Sequence, residues 1–298
     1  MTLLNALQSS DSLLFLVCLV LGLFVGSFLN VVVYRLPIMM ERSWRRECQE
    51  FLELSADDLP DGKFSDADDK PFNLAIPRSA CPSCGNQIKA WQNIPVISWL
   101  FLRGKCHNCK TRISPEYPIV ELLTGLMSLA IAMKFGATLQ TCFALIFTWS
   151  LICLALIDFH TTLLPDSITL PLMWLGLLLS LYPVFVGSQE ALIGAAAGYL
   201  SLWLVFQTFK LITGKEGMGF GDFKLLAALG AWLGFTQLPL VILLSSLTGA
   251  IVGVTMMAAF KHHRDKPIPF GPYLAIAGWI AFMWGDALVA WYYQLLGI

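Results

Sequence analysis

Charge is what this sequence lacks most: Asp, Glu, Lys and Arg make up 13% of its 298 residues, against a hydrophobic share of 57%. A chain of that length cannot hide so much apolar surface inside its own core, so a water-soluble globular fold is excluded and a bilayer must serve as part of the solvent. A mean hydropathy of +0.69 agrees. Excess positive charge is also missing, the net being −1, and nucleic acid is therefore not expected as a partner. Before Tyr34-Arg35-Leu36-Pro37 there is neither a basic lead-in nor a small-residue cleavage site. The first apolar run thus reads as a retained anchor, not a removed signal peptide. No internal repeat or low-complexity run points to a solenoid.

What is present is a series of apolar runs. A span needs roughly 20 mostly apolar residues, and eight segments fit in outline, at about 13–34, 117–133, 139–157, 166–186, 190–212, 223–237, 239–260 and 271–296. The sixth is short, bounded by Asp222 and Leu238-Pro239, so it is expected to tilt little, thin the bilayer or enter only partway. Of the 19 Lys and Arg, twelve fall between Arg35 and Ser114, and six more fall on the same side if eight helices alternate, leaving only Lys134 opposite. Basic loops are retained in the cytoplasm, so both termini are expected on the non-cytoplasmic side.

Residues 35–114 change to a charged and polar composition, with an acidic stretch from Asp57 to Asp69. This is an insert between the first and second spans, and Met39 to Leu54 is expected to form a short helix, either amphipathic at the membrane surface or an ordinary solvated one. Within it, Cys81-Pro82-Ser83-Cys84 and Cys106-His107-Asn108-Cys109 form two C-x-x-C knuckles separated by 21 residues. That spacing suits a tetrahedral zinc ribbon, with a structural ion whose four positions are filled by sulfur. The expected fold class is an all-α polytopic membrane protein of about eight transmembrane helices with a cytoplasmic zinc-ribbon-like insert. Its parts are the first helix at 1–34, the insert at 35–114 and a seven-helix core at 115–298.

Carboxylates at membrane depth are costly and point to function. Asp158, in Leu156-Ile157-Asp158-Phe159-His160, and Asp222, in Gly219-Phe220-Gly221-Asp222-Phe223-Lys224, both fall near the cytoplasmic face in this topology. Two such groups brought together can activate a water and polarise a scissile carbonyl, the chemistry of aspartyl proteases. The glycines before Asp222 allow close approach of an extended peptide. Capping or ion-pair roles compete for each Asp, and Asp166, after Pro165, reads as a helix start. Asn30, inside Gly26-Ser27-Phe28-Leu29-Asn30-Val31, should find a partner within the bundle. A proton-coupled transporter and a nonenzymatic scaffold with a metal-binding loop stay open as alternatives.

Taken in order, these motifs resemble the type IV prepilin peptidases, bifunctional leader peptidases and N-methyltransferases of bacterial pilus and type II secretion systems. The likeness also includes Ile94-Pro95-Val96-Ile97-Ser98-Trp99, Ile113-Ser114-Pro115-Glu116-Tyr117 and Pro269-Phe270-Gly271-Pro272-Tyr273. The resemblance implies that Asp158 and Asp222 are the catalytic pair, that Gly219, Gly221 and Lys224 meet the substrate, and that the substrates are prepilins or pseudopilins cut after glycine. It implies S-adenosylmethionine as methyl donor, with Gly104 and Glu121 as contributors to that site; no Rossmann-type glycine fingerprint follows a strand in the insert, so the donor pocket must be of another kind. Membrane lipid and the assembly machinery are the implied partners, and the bacterial inner membrane the implied location.

Overall fold

The computed structural model describes residues 3–52, 71–260 and 269–296. The acidic stretch from Asp57 to Asp69, and Lys63, Lys70, Lys261, Arg264 and Lys266 among the basic residues, lie outside the described residues. Among the described residues regular structure is helical throughout: α1 (Leu3–Ser9), α2 (Asp11–Leu52), α3 (Ile97–Phe101), α4 (Glu116–Phe135), α5 (Leu139–Thr161), α6 (Asp166–Ser180), α7 (Ser188–Thr213), α8 (Phe220–Leu233), α9 (Leu238–Phe260) and α10 (Gly271–Leu296). Two compact units divide the chain, Phe15–Leu129 and Met1–Leu14 with Ala130–Ile298.

Each of the eight expected apolar runs falls on a helix, but six of them, α2, α4, α5, α7, α9 and α10, are long and apolar enough to cross a membrane. α6 has 15 residues and α8 has 14. At about 1.5 Å per residue they reach only about 21–22 Å, short of a hydrocarbon core of about 30 Å. For α8 the reason is packing. A helix apolar on every side belongs in a core, and every residue from Asp222 to Leu233 is buried except the half-buried Lys224. It is enclosed by α6, α7, α9 and α10.

Small residues let α7 meet α8. A Cβ on Gly194 would overlap the carbonyl oxygen of Gly230, and one on Gly230 would overlap that of Gly194, while Gly198 lies against Leu226. Gly194 and Gly198 are four positions apart and so share a face, the small-xxx-small arrangement by which membrane helices approach backbone to backbone. At the C-terminal end of α8, Trp232 packs on Phe147 and Phe185, with ring centroids 4.7 and 5.5 Å away. Its indole N–H donates to the Leu172 carbonyl at 2.8 Å, so the polar edge of a buried aromatic is satisfied.

In the other unit, α2 and α4 pack through Gly22, Gly26 and Gly125; a Cβ on Gly26 would stand 2.7 Å from the Cα of Glu121. Asn30 finds the partner its setting required, donating to the Tyr117 carbonyl at 3.2 Å. α2 does not stop at Arg35. Its 42 residues span about 63 Å, roughly twice the hydrocarbon thickness. The short helix expected from Met39 is the continuation of the first span, with Pro37 inside it. Proline removes one helical hydrogen bond, and here the chain beyond it is supported by an Arg45–Glu41 ion pair and a Ser43 to Glu47 bond of 3.0 Å on the helix surface. Arg35, buried, donates to the carbonyls of Asn73 at 2.9 Å and Pro77 at 2.6 Å, and thereby fixes the segment leading to the first knuckle against α2.

Candidate active site and metal centre

Asp158 lies in the last turn of α5, which ends where Thr162 turns left-handed (φ 54°) and returns its N–H to the Asp158 carbonyl. Its side chain turns the other way. Oδ2 accepts the backbone N–H of Gly271 at 2.9 Å, and Gly271 opens α10, where N–H groups have no partner within the helix and the helix dipole favours an anion. A Cβ on Gly271 would stand 2.6 Å from that oxygen and 3.1 Å from Cδ1 of Leu164. Leu164 also touches Gly221, whose Cβ would come within 2.7 Å of the Leu164 Cβ. The end of α5, the α5–α6 loop and the starts of α8 and α10 therefore close on one spot.

Asp222 is the third residue of α8, behind the N-cap Gly219, and its N–H reaches the Gly219 carbonyl at 3.3 Å. Leu164 stands between Gly271, which holds Asp158, and Gly221, which precedes Asp222, and the two carboxylates are only 4% and 7% exposed. The pair named from sequence is thus brought together. Its neighbours separate into three roles. Gly219 faces open space, with nothing within 4 Å of where a Cβ would stand. Gly221 is occupied by Leu164. Lys224 grips both carboxylate oxygens of Asp166, at 2.8 and 2.7 Å. Asp166 is the first residue of α6, as its place after Pro165 suggested, and it is committed to that ion pair. Asp286, in α10, accepts from Gln237 at 2.8 Å and has a pairing role.

The cysteine knuckles are built alike. Bridges Ala80 to Gln87 and Lys105 to Arg112 bracket them. In the first, Cys81 N–H donates to Asn86 O at 2.9 Å; in the second, Cys106 N–H donates to Thr111 O at 2.8 Å. The residue after the second cysteine is left-handed in both, Gly85 at φ 68° and Lys110 at φ 61°. These turns bring the Sγ atoms of Cys81, Cys84, Cys106 and Cys109 within 4.8 Å of one another. Cys81 and Cys109 are 3.7 Å apart, close to the edge of about 3.8 Å for a tetrahedron of metal–sulfur bonds of about 2.3 Å. Backbone N–H groups of Cys109 and Asn108 draw the Cys106 thiol below its ordinary value. The side chain and then the backbone of Thr111 draw Cys109 down to about 6, toward the thiolate form that binds metals. The four residues can hold a metal ion.

Gly104 and Glu121 are both engaged in shaping this insert. Gly104 is left-handed (φ 64°), and a Cβ there would stand 2.8 Å from the Trp99 ring. It donates to Trp99 O at 2.9 Å and accepts from Ile113 N at 2.8 Å, and so shapes the entry to the second knuckle. Glu121 is buried and accepts the N–H of Val96 at 2.7 Å. Val96 caps α3 at φ 59°, an uncommon position for a β-branched residue, and the carboxylate holds it there. Gly271, Leu164 and Trp99 carried no role from sequence. Gly271 and Trp99 fall within motifs of the family likeness, Gly271 as a glycine before Pro272 at a helix start; Leu164 is an ordinary apolar residue whose part depends on the fold.

An all-helical membrane protein that buries two neighbouring carboxylates beside a helix N-terminus has the makings of a membrane peptidase. The chain belongs to the type IV leader peptidase family. The profile described as "Type IV leader peptidase family" matches residues 145–254, and "Bacterial Peptidase A24 N-terminal domain" matches residues 20–135. Among its relatives are proteins named prepilin leader peptidase/N-methyltransferase. The one from Stutzerimonas stutzeri is 55% identical over 96% of both chains, that from Aeromonas hydrophila 55% over 91% of both, and that from Pseudomonas aeruginosa 53% over 97% of both. No solved structure matches the chain.

The thiolate geometry predicts one metal equivalent per purified chain, measured by elemental analysis. Cys106→Ser should lose it and leave the three remaining thiols open to alkylation; full metal retention in that variant would contradict the site.

Proposed function

We propose that this protein is an aspartyl endopeptidase that cuts the basic leader from type IV prepilins or pseudopilins after glycine, and then methylates the new N-terminal amine. The observation that carries the reading is the convergence of Asp158 and Asp222 about Leu164, with an oxygen of Asp158 held by the Gly271 N–H. One carboxylate, ionised, takes a proton from a water whose oxygen attacks the scissile carbonyl. The other, protonated, donates to the carbonyl oxygen as negative charge develops there. Collapse of the tetrahedral intermediate breaks the C–N bond, and the leaving amine takes a proton from the pair. Gly271 orients Asp158, Gly221 and Leu164 fix the start of α8, and the open side of Gly219 gives an extended substrate backbone room to approach. Lys224 contributes by steadying Asp166 and the start of α6.

The site works at the cytoplasmic face of the bacterial inner membrane, with both termini periplasmic. A leader rich in Lys and Arg stays on that side while the apolar segment after it enters the bilayer. The ion in the four-cysteine site is zinc, which has no open position for water when four sulfurs fill its shell and so serves folding. Bound S-adenosylmethionine supplies the methyl group. Gly104 and Glu121 serve that step by holding the 94–104 turn, Glu121 through Val96 and Gly104 through Trp99. The anchor at 1–34, the insert at 35–114 and the core at 115–298 divide these tasks, and the processed subunits pass to the pilus or type II secretion machinery. A transport role gives no reason for the open side of Gly219 before Asp222, and a scaffold gives none for the carboxylate pair.

Purified prepilin in lipid, with product mass as readout, tests both activities. Asp158→Asn and Asp222→Asn should each lower the cleavage rate by a factor of about 10²–10⁴, with metal content unchanged; near-normal cleavage by either would remove that residue from the pair. Gly104→Leu should abolish methylation and leave cleavage intact, because a side chain there displaces Trp99. Equal loss of both activities would defeat the assignment.

A further inference from the structure

The insert carries an apolar face that nothing in its own unit covers. α3 is only five residues long, yet Ile97, Leu100 and Phe101, at positions i, i+3 and i+4 of one helical face, are 52%, 61% and 82% exposed. Trp91 and Ile94, from the turn before it, add to the same stretch and are also exposed. The opposite side of α3 is spoken for: Trp99 covers Gly104 and its indole N–H points at the Ile113 carbonyl, 3.4 Å away. A short helix with its aromatic body turned inward and three large apolar side chains turned outward presents a surface, not a core.

Two observations say what covers it. The first is its height. The N-cap of α3, Val96, is hydrogen-bonded to Glu121, the sixth residue of the spanning helix α4 (Glu116–Phe135). Five residues past the start of that helix is about 7.5 Å along its axis, so the turn is tied to the zone where α4 passes from headgroups into hydrocarbon. The second is charge. Residues 71–114 contain six basic side chains, Arg78, Lys89, Arg103, Lys105, Lys110 and Arg112, all exposed, and no Asp or Glu. An apolar face with Trp beside Lys and Arg at the boundary of a span is the chemistry of an interfacial anchor on anionic lipid.

We propose that the 94–101 turn is seated in the membrane surface, with Ile97, Leu100 and Phe101 in the outer acyl region and Lys89, Arg103 and Lys105 among anionic headgroups. Lipid thereby completes the packing of α3 and holds Trp99, Gly104 and the second knuckle at the level of the bilayer surface, where the N-terminus of a membrane-borne substrate emerges. This lipid contact is independent of the catalytic reading.

The test uses the full-length protein in nanodiscs containing phosphatidylglycerol, with p-benzoylphenylalanine introduced singly at positions 97, 101 and 86. Asn86, exposed in the first knuckle, is the control. Phe101 and Ile97 are already exposed, so the probe displaces no packed side chain, and retained metal content reports an intact insert. Irradiation without prepilin should give lipid adducts, read by mass, at 97 and 101 and none at 86. Absence of lipid adducts at 97 and 101, or equal adducts at 86, would overturn the proposal. So would adducts formed only to added prepilin, which would make the face a docking site for the substrate's apolar segment.

Discussion

Everything in the membrane core follows from the difficulty of keeping two carboxylates in an apolar place. An acid there costs several kcal/mol unless donors, partners or water meet it. Asp158 is met by a backbone N–H that α10 cannot use internally. That donor can reach it only because Gly271 has no Cβ, and the start of α8 can close on Leu164 only because Gly221 has none. α8 is enclosed by its neighbours and carries Asp222 in its first turn. Glycines at 194 and 230 make that enclosure tight enough.

The insert obeys a different rule. It has little core of its own, and small folds of this kind are commonly stapled by a structural metal. Four cysteine sulfurs convergent on one point, able to hold a metal ion, suit that purpose, and the matched left-handed residues Gly85 and Lys110 are the local devices that aim the sulfurs. From the second knuckle a chain of contacts runs through Gly104, Trp99 and Val96 to Glu121 on α4. A change at Gly104 therefore acts on the shape of the whole turn. Lipid beneath α3 would be the remaining wall of this small structure.

Much of this was legible in the residues. Apolar runs located the helices because bilayer thickness imposes a length, and the C-x-x-C spacing located the cysteine centre because a knuckle is a local turn. Asp158 and Asp222 stood out because ionisable groups are rare in such surroundings. What was not legible depended on which side of a helix faces lipid. Periodicity cannot show which sides of a helix its neighbours enclose: the shortness of α8 was legible from Asp222 and Leu238-Pro239, but its burial on every side was not. The change to polar composition at Arg35 read as the end of the first helix, yet α2 runs on through Pro37, since a single missing hydrogen bond is tolerated. Trp99 stood inside a quoted motif without an assigned part, and Leu164 was one apolar residue among many; its part comes from contacts with Gly221 and Gly271, far away in the chain.

The central claim is that Asp158 and Asp222 act as one unit. Groups that share a single chemical step are non-additive, so that removing the second adds little once the first is gone. Single-turnover cleavage of prepilin in lipid should therefore be compared for the two single Asn variants and for Asp158→Asn combined with Asp222→Asn. A shared step predicts that the double variant is no slower than the slower single one. Losses that multiply would mean that the two carboxylates contribute independently, and the shared site would have to be abandoned.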